Sequence, residues 1–309
     1  MIAFLCLSEG KFLTDVLQNL QRISATVPDD TQRDEVARLA NADFESKVVN
    51  KRLSVLDILE MYPTAALPLA EFLAMLPPMR IRQYSISSSP LVDPSVATLT
   101  WTVLDTPSKA AGGKRFLGVA SNYLSKVEQN DLVHVAVKPC HGNFHPPNDT
   151  ENTPIIMLCA GSGIAPFRGF VQERAMQIAA GRKLAPAYLF VGCARPDRDQ
   201  LFKDEFTEWE KEGVVKLYYA YSKAKEQSKG CRYVQERLWE ERDEMVKVFN
   251  HGAKLYVCGS AMVGEGVAAT TKKIYLEATE ALGKDLTDEE VGEWFQRIRN
   301  DRYASDIFV

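Results

Sequence analysis

Residues 154–166 read PIIMLCAGSGIAP. Ile155 to Ala160 form a short apolar run, Gly161-Ser162-Gly163 make a tight turn, and Pro166 suits the first turn of a helix. A buried strand that runs through a glycine turn into a helix is half of a βαβ unit. The pattern repeats downstream. The first helix is expected through about Gly181, and AYLFVG is a second strand with a helix near Asp199–Lys211. VVKLYYA is followed by a helix from Tyr233, and KLYVCG by a helix from about Gly264. Apolar strands alternating with amphipathic helices predict an α/β fold over 151–309, a doubly wound parallel sheet with right-handed crossovers. Ligands of such sheets sit at the carboxyl ends of the strands, so the residues just past each strand are the ones to read.

Upstream the texture changes. IRQYSIS, ATLTWTVLD and DLVHVAVK are short, β-branched, aromatic and alternating, with the loop DTPSKAAGGK and its Gly112-Gly113 among them. They predict an antiparallel, barrel-like part over 79–150, with too few strands to close. Residues 1–78 read as helical. Leu13, Val16, Leu17 and Leu20 form one stripe, Val36, Leu39 and Ala40 a second, and Leu53, Leu56, Ile58 and Leu59 a third, with Pro77-Pro78 ending the region.

The chain has 309 residues, enough for about two domains, with 46% hydrophobic and 25% charged residues. Lys plus Arg number 37 and Asp plus Glu 41, a net charge of −4, which argues against a general nucleic-acid binder. Six cysteines are scattered without a CxxC pair, which points to a reducing compartment and against a zinc ribbon. No apolar run reaches the length of a membrane span, and MIAFLCLSEG lacks the basic start of a signal peptide. A cytoplasmic location is expected, with an anchor on an upstream segment left open.

Four groups of residues stand where chemistry is expected. The Gly161-Ser162-Gly163 turn suits a phosphate, or is only a turn; it lacks the third glycine of the GxGxxG pattern. Tyr221-Ser222-Lys223, with Arg232, Tyr233 and Gln235, suits the 2′-phosphate of NADP, or is a solvated loop. Cys258-Gly259-Ser260 and Cys193 place thiols at strand ends, where they touch a flat ring or fill the core. Arg82, Tyr84 and the hydroxyls Ser85 to Ser89 suit a diphosphate and an aromatic ring system, or a polar strand edge. Cys140, His141 and His145 in CHGNFH read as a solvated loop rather than a metal site. Thr287, ahead of Asp288, Glu289 and Glu290, reads as a helix cap.

In order along the chain stand RQYSISSSP, GVASNYL, GSGIAPFRGFVQER, VGCARPDRDQLFKDEF, YVQERL, LYVCG and RYASDIFV. This series resembles the FAD/NADPH half of the diflavin reductases. It is most similar to NADPH–cytochrome P-450 reductase and to the reductase part of self-sufficient monooxygenase fusions. The resemblance implies a ferredoxin-NADP reductase-like NADPH-binding domain, an incomplete FAD-binding β-barrel and a helical connecting segment. It implies an NADPH–hemoprotein reductase type of oxidoreductase with FAD and NADPH as cofactors. Electrons would pass through an FMN domain to a heme protein, both outside this chain.

Residue by residue, the resemblance gives Arg82 to the FAD diphosphate and Tyr84 to the flavin. Gly118, Val119, Ala120 and Ser121 form a second diphosphate contact. Ser162, Cys193 and Arg195 line the NADPH diphosphate site. Ser222, Lys223, Tyr233 and Gln235, with Arg232 in support, hold the 2′-phosphate and its ribose. Ser85, Cys258 and Asp306 surround the nicotinamide, and Phe308 covers the flavin. The chain departs from the family pattern at Phe308 (usually Trp), Ser260 (usually Asp), Cys231 (usually Lys) and Lys223 (usually Arg), so a softer NADPH preference is expected. The family's opening β strands are missing, so the chain is expected to be a fragment. The alternatives are an NADP(H)-binding remnant that cannot retain FAD, or a sulfite-reductase or nitric-oxide-synthase relative.

Overall fold

A computed structural model describes residues 9–79, 81–110, 114–139, 143–299 and 301–308, with the side chains of 9–14 left aside. Cys6, Gly112-Gly113, Cys140 and His141 lie outside the described residues. The chain forms two compact units: one comprises Tyr84–Thr102 and the residues from His134 onward, the other the residues before Tyr84 together with Val103–Val133.

The helical unit contains α1 (Glu9–Ser24), α2 (Asp30–Leu39), a π-helical turn (Phe44–Val49), α3 (Val55–Met61) and α4 (Leu69–Met75). Side-chain caps set two of the helix starts. Asp29 accepts from the Gln32 N–H, and Ser54 and Asp57 cap each other's backbone ahead of α3. Leu20, Ile23, Val36, Leu39, Val48 and Ile58 form the core, so the predicted stripes meet, although Leu56 of the third points to solvent.

The antiparallel part differs from the expectation in position. Strand β1 (Asp105–Pro107) lies where the sequence suggested a loop and pairs with β2 (Arg115–Leu117) just after it, followed by α5 (Val119–Leu124). Of the predicted strands, 81–87 and 97–105 pair as strands only at the Ile86–Leu99 bridge, beside the Ser87 N–H bond to the Thr98 carbonyl, and 131–138 forms no strand. The reason is partnership. Leu132 is 93% exposed, with Val135 and Val137 also exposed, so the alternation has no face to bury itself against among the described residues.

The second unit holds the parallel sheet. Its strands are β3 (Ile155–Ala160), β4 (Ala187–Cys193), β5 (Lys216–Tyr221), β6 (Lys254–Ser260) and β7 (Tyr303–Phe308), in spatial order β5-β4-β3-β6-β7. Between them run α6 (Ala165–Ala179), α7 (Lys203–Lys211), α8 (Val234–Glu240), α9 (Arg242–Asn250), α10 (Ala261–Glu280) and α11 (Asp288–Arg299). Successive strand residues face opposite ways. Ile156, Leu158, Phe190 and Val257 pack under α8 to α11, while Met157, Cys159, Leu189 and Cys258 pack under α6 and α7. The doubly wound prediction therefore holds. The edge strand β7 was not read as a strand because half-buried Ala304, Asp306 and Ile307 lack an apolar run. Thr287 caps α11 as expected, exchanging hydrogen bonds with Glu290. Among the described residues no helix is long and apolar enough to cross a membrane.

The winding reverses between β3 and β6, and Gly161–Ile164 form a 3-10 turn there. A Cβ on Gly163 would stand 2.3 Å from the Cys258 carbonyl oxygen, so only glycine lets the turn close on β6. Gly161 has φ +56° but open space around it. Gly163→Ala should therefore destabilise the sheet unit by about 1–3 kcal/mol through overpacking. Gly161→Ala should lose only about 1 kcal/mol through backbone conformation. Urea midpoints of the two variants check the order; equal shifts would contradict the close approach.

Candidate functional site

The carboxyl ends of β3, β4, β5, β6 and β7 gather most of the residues singled out by sequence. At the switch point, half-buried Ser162 accepts a hydrogen bond from the Thr102 hydroxyl at 3.3 Å. On the next pair of strands, Cys258 and Asp306 are register partners, and Ser260 is opposite Phe308. The Ser85 hydroxyl donates to Asp306 Oδ2 at 2.7 Å across 221 residues of chain. Ser85, Cys258 and Asp306 are thus brought together as the sequence reading grouped them. Phe308, two residues past Asp306, is 41% exposed.

The thiols here are held protonated. Burial pushes the Cys258 thiol up, and the Asp306 charge adds to it. Burial likewise raises Cys159, with Cys258 and Cys193 contributing. Cys193 is pushed up to about 11, mostly by burial and secondarily by Asp199.

The β5 end is tied to β4. The Ser222 N–H donates to the Cys193 carbonyl and the Lys223 N–H to that of Ala194, both at 3.0 Å. The following loop is not merely solvated. Ser228 is buried, accepts from the Tyr221 N–H at 3.1 Å and donates to the Cys231 carbonyl at 2.7 Å. Cys231 itself joins the core, so its side chain is turned away from the surface. Lys223, Arg232, Tyr233 and Arg195 are exposed, with Tyr233 capping α8. Gln235 packs on Gly266 of α10.

The segment Tyr84–Thr102 lies against the sheet unit by bonds that sequence reasoning missed. Arg168 donates to the Ser87 carbonyl at 2.8 Å, and Gln172 accepts from the Ser89 N–H at 2.9 Å. The hydroxyls of the RQYSISSS run are mostly spent internally: Ser87 bonds Thr98 and Thr100, and Ser89 accepts from the Leu91 N–H. Tyr84 meets Trp101 edge to face, with centroids 6.5 Å apart. The i, i+4 spacing of Arg168 and Gln172 on α6 was the available signal.

Arg82 and Gly118 to Ser121 belong to the helical unit. Arg82 is exposed. Gly118 is the N-cap residue of α5. The Ser121 hydroxyl is committed to the loop, accepting from the Leu104 N–H at 3.0 Å.

Residues 14–123 match the FAD binding domain family, and residues 157–268 the oxidoreductase NAD-binding domain family. Over 294 residues the chain is 48% identical to the bifunctional cytochrome P450/NADPH–P450 reductase ascE of Acremonium egyptiacum. It is 47% identical over 291 residues to the bifunctional cytochrome P450/NADPH–P450 reductase of Fusarium oxysporum. It is 42% identical over 293 residues to the self-sufficient cytochrome P450 monooxygenase CYP505U2 of Exserohilum turcicum. Each match covers 94% of this chain and 27% of the relative. The chain is homologous to part of these reductase fusions. It spans about a quarter of their length.

The donor sets of the two domains fit their cofactors unequally. In the NAD-binding domain the glycine turn, the partly open Ser162 hydroxyl and the exposed cations Lys223 and Arg232 suit a phosphorylated dinucleotide. In the FAD-binding part the Ser121 hydroxyl is already engaged by the Leu104 N–H.

Because the thiolate is the species that alkylates, raised pKa values predict slow modification. At pH 8 iodoacetamide should leave Cys159 and Cys258 unlabelled in the folded chain. Cys193 should accelerate only as pH rises toward about 11. Peptide mass spectrometry across pH checks this; rapid labelling of Cys258 at pH 8 would contradict its burial.

Proposed function

We propose that this chain is an NADPH-dependent FAD oxidoreductase of the NADPH–hemoprotein reductase type. An FMN domain and then a heme protein, neither within this sequence, would take the electrons onward. The observation that carries the reading is the Ser85–Asp306 hydrogen bond beside Cys258 at the carboxyl edge of the parallel sheet. The proposed division is a helical connecting segment over 1–78, an FAD-binding part over 79–150 and an NADPH-binding part over 151–309. The scattered cysteines support a cytoplasmic setting.

Bound together, the two cofactors supply the hydride donor and acceptor. The chain supplies alignment and charge. Ser222, Lys223, Arg232, Tyr233 and Gln235 would hold the 2′-phosphate and ribose, and Ser162, Cys193 and Arg195 the diphosphate. Asp306 would offer a carboxylate to the positive charge that develops on a bound nicotinamide, and Ser85 orients that carboxylate by donating to it. Cys258, buried and protonated, offers a neutral surface. Arg82 and the N–H groups of Val119 to Ser121 would face the FAD diphosphate, while Tyr84 and Phe308 would pack on its ring.

One observation favours a second reading. The β1–β2 pair is exposed on every residue, and two strands alone are marginal. That suits a module that binds NADP(H) without retaining FAD. The absorbance spectrum after FAD addition and gel filtration separates the two: flavin bands support the reductase, a colourless protein the module.

Two variants test the assignments. Lys223→Ala should weaken NADP⁺ binding about ten-fold or more, because a charged hydrogen bond to phosphate is lost, and leave NAD⁺ binding unchanged. Calorimetric titration checks it; equal loss for both nucleotides would refute a 2′-phosphate contact. In an FAD-loaded protein, Asp306→Asn should slow flavin reduction by about 10²–10³ with little change in NADPH affinity. Stopped-flow at the parent rate would remove Asp306 from the mechanism.

A further inference from the structure

Arg168 sits on α6, one turn after the glycine turn, and none of the cofactor contacts above uses it. Its side chain is 13% exposed and every edge of its guanidinium is engaged. Nε and Nη2 grip the two oxygens of Glu205 on α7 at 2.9 and 3.0 Å. Nη1 donates to the Ser87 carbonyl at 2.8 Å and reaches the Thr98 hydroxyl at 3.4 Å. The flat face lies 4.6 Å from the centroid of the Phe202 ring. Phe202 in turn holds a left-handed backbone (φ 54°, ψ 32°) ahead of α7, a conformation rare for a bulky residue and kept only where surroundings enforce it.

We propose that Arg168 is a positioning residue that sets the Ser85–Asp306 pair. Ser85 lies two residues from the carbonyl that Arg168 holds, and the Ile86–Leu99 bridge stiffens the link between them. Two extended residues span about 6.6 Å, so a fixed Ser87 carbonyl leaves the Ser85 hydroxyl little freedom. A hydrogen bond of 2.7 Å tolerates only a few tenths of an ångström of drift. The fork is essential to the design. Five planar donors serve a carboxylate and a carbonyl at once, which the single point charge of lysine cannot do. Gln172, one turn further along α6, holds the Ser89 N–H and steadies the same segment from its other side. The proposal rests on the reading that Ser85 and Asp306 act at the nicotinamide; its test does not require bound FAD.

The experiment is a double-mutant cycle of Ser85→Ala and Asp306→Asn, read as amide-exchange protection of the β7 peptide carrying Asp306. The cycle is run in the parent chain, in Arg168→Met and in Glu205→Gln. A hydrogen bond to a carboxylate should give about ten-fold coupling in the parent. Arg168→Met should reduce it to less than two-fold, and Glu205→Gln, which keeps the guanidinium but frees it from α7, to about three-fold. A role limited to general stability would lower protection throughout the sheet and leave the coupling unchanged, and that result overturns the proposal. If Arg168→Met does not fold, the milder Glu205→Gln decides by the same criterion. Binding of 2′,5′-ADP is measured on every variant. Full coupling changes in a chain that does not bind 2′,5′-ADP support the positioning role and defeat the nucleotide reading. Tight 2′,5′-ADP binding with unmoved coupling does the reverse.

Discussion

A methyl group cannot stand between Gly163 and the Cys258 carbonyl. That contact joins the end of β3 to the end of β6 at the point where the winding of the sheet reverses. Because the 3-10 turn closes there, α6 starts close to the sheet, and its Arg168 and Gln172 reach the Tyr84–Thr102 segment. Because β6 is held there, Cys258 stands in register with Asp306 on β7. The pairing that carries the proposed chemistry thus follows from one close backbone approach, not from the side chains of the pair themselves.

Electrostatics at this edge is divided with some economy. The thiols are buried and kept protonated, so they add no negative charge beside Asp306. Among the described residues, the side-chain donor to Asp306 is the neutral Ser85 hydroxyl rather than a cation. A salt bridge in that place would have neutralised the charge that a growing nicotinamide cation calls for. The cations stand elsewhere: Arg168 is spent on Glu205 and the Ser87 carbonyl, and Lys223 and Arg232 lie beyond the β5 end.

The parallel sheet was legible because its four apolar strands cannot be anything else at their length, and Ile155 to Ala160 read directly as β3. Strand β7 was not, since an edge strand needs only one buried side and Tyr303 to Phe308 mixes Ser and Asp with its apolar residues. The antiparallel part misled for the opposite reason. Leu132, Val135 and Val137 carry a strand's alternation, but alternation records a preference for a partner, not the presence of one. For the site, strand-end position was enough to single out Ser162, Ser222, Lys223 and Cys258. The Ser85–Asp306 contact was not readable from spacing, because 221 residues separate the two, and it came from resemblance. Arg168 was missed because its partners Glu205, Ser87 and Thr98 lie 37 or more residues away along the chain. Ser228 was missed because its partners are backbone groups, which leave no mark in composition.

The fate of Cys231 sharpens what a 2′-phosphate would meet. The departure from the family pattern there does not place a weak polar group at the surface; it removes the position from the surface, since the side chain joins the core under α8. The loop that leads to it is pinned by Ser228 rather than by charge. On the proposed reading, recognition of the phosphate then falls to Lys223 and Arg232, both exposed and so both in water-like dielectric. Lysine brings a point charge without the fork of arginine, and an exposed charge is screened within about 8 Å at physiological salt. Discrimination between NADPH and NADH built in this way depends on ionic strength more steeply than one built on a buried, bidentate arginine. The rigid parts of this molecule are thus invested in alignment at Asp306, and the choice of nucleotide is left to its solvated rim.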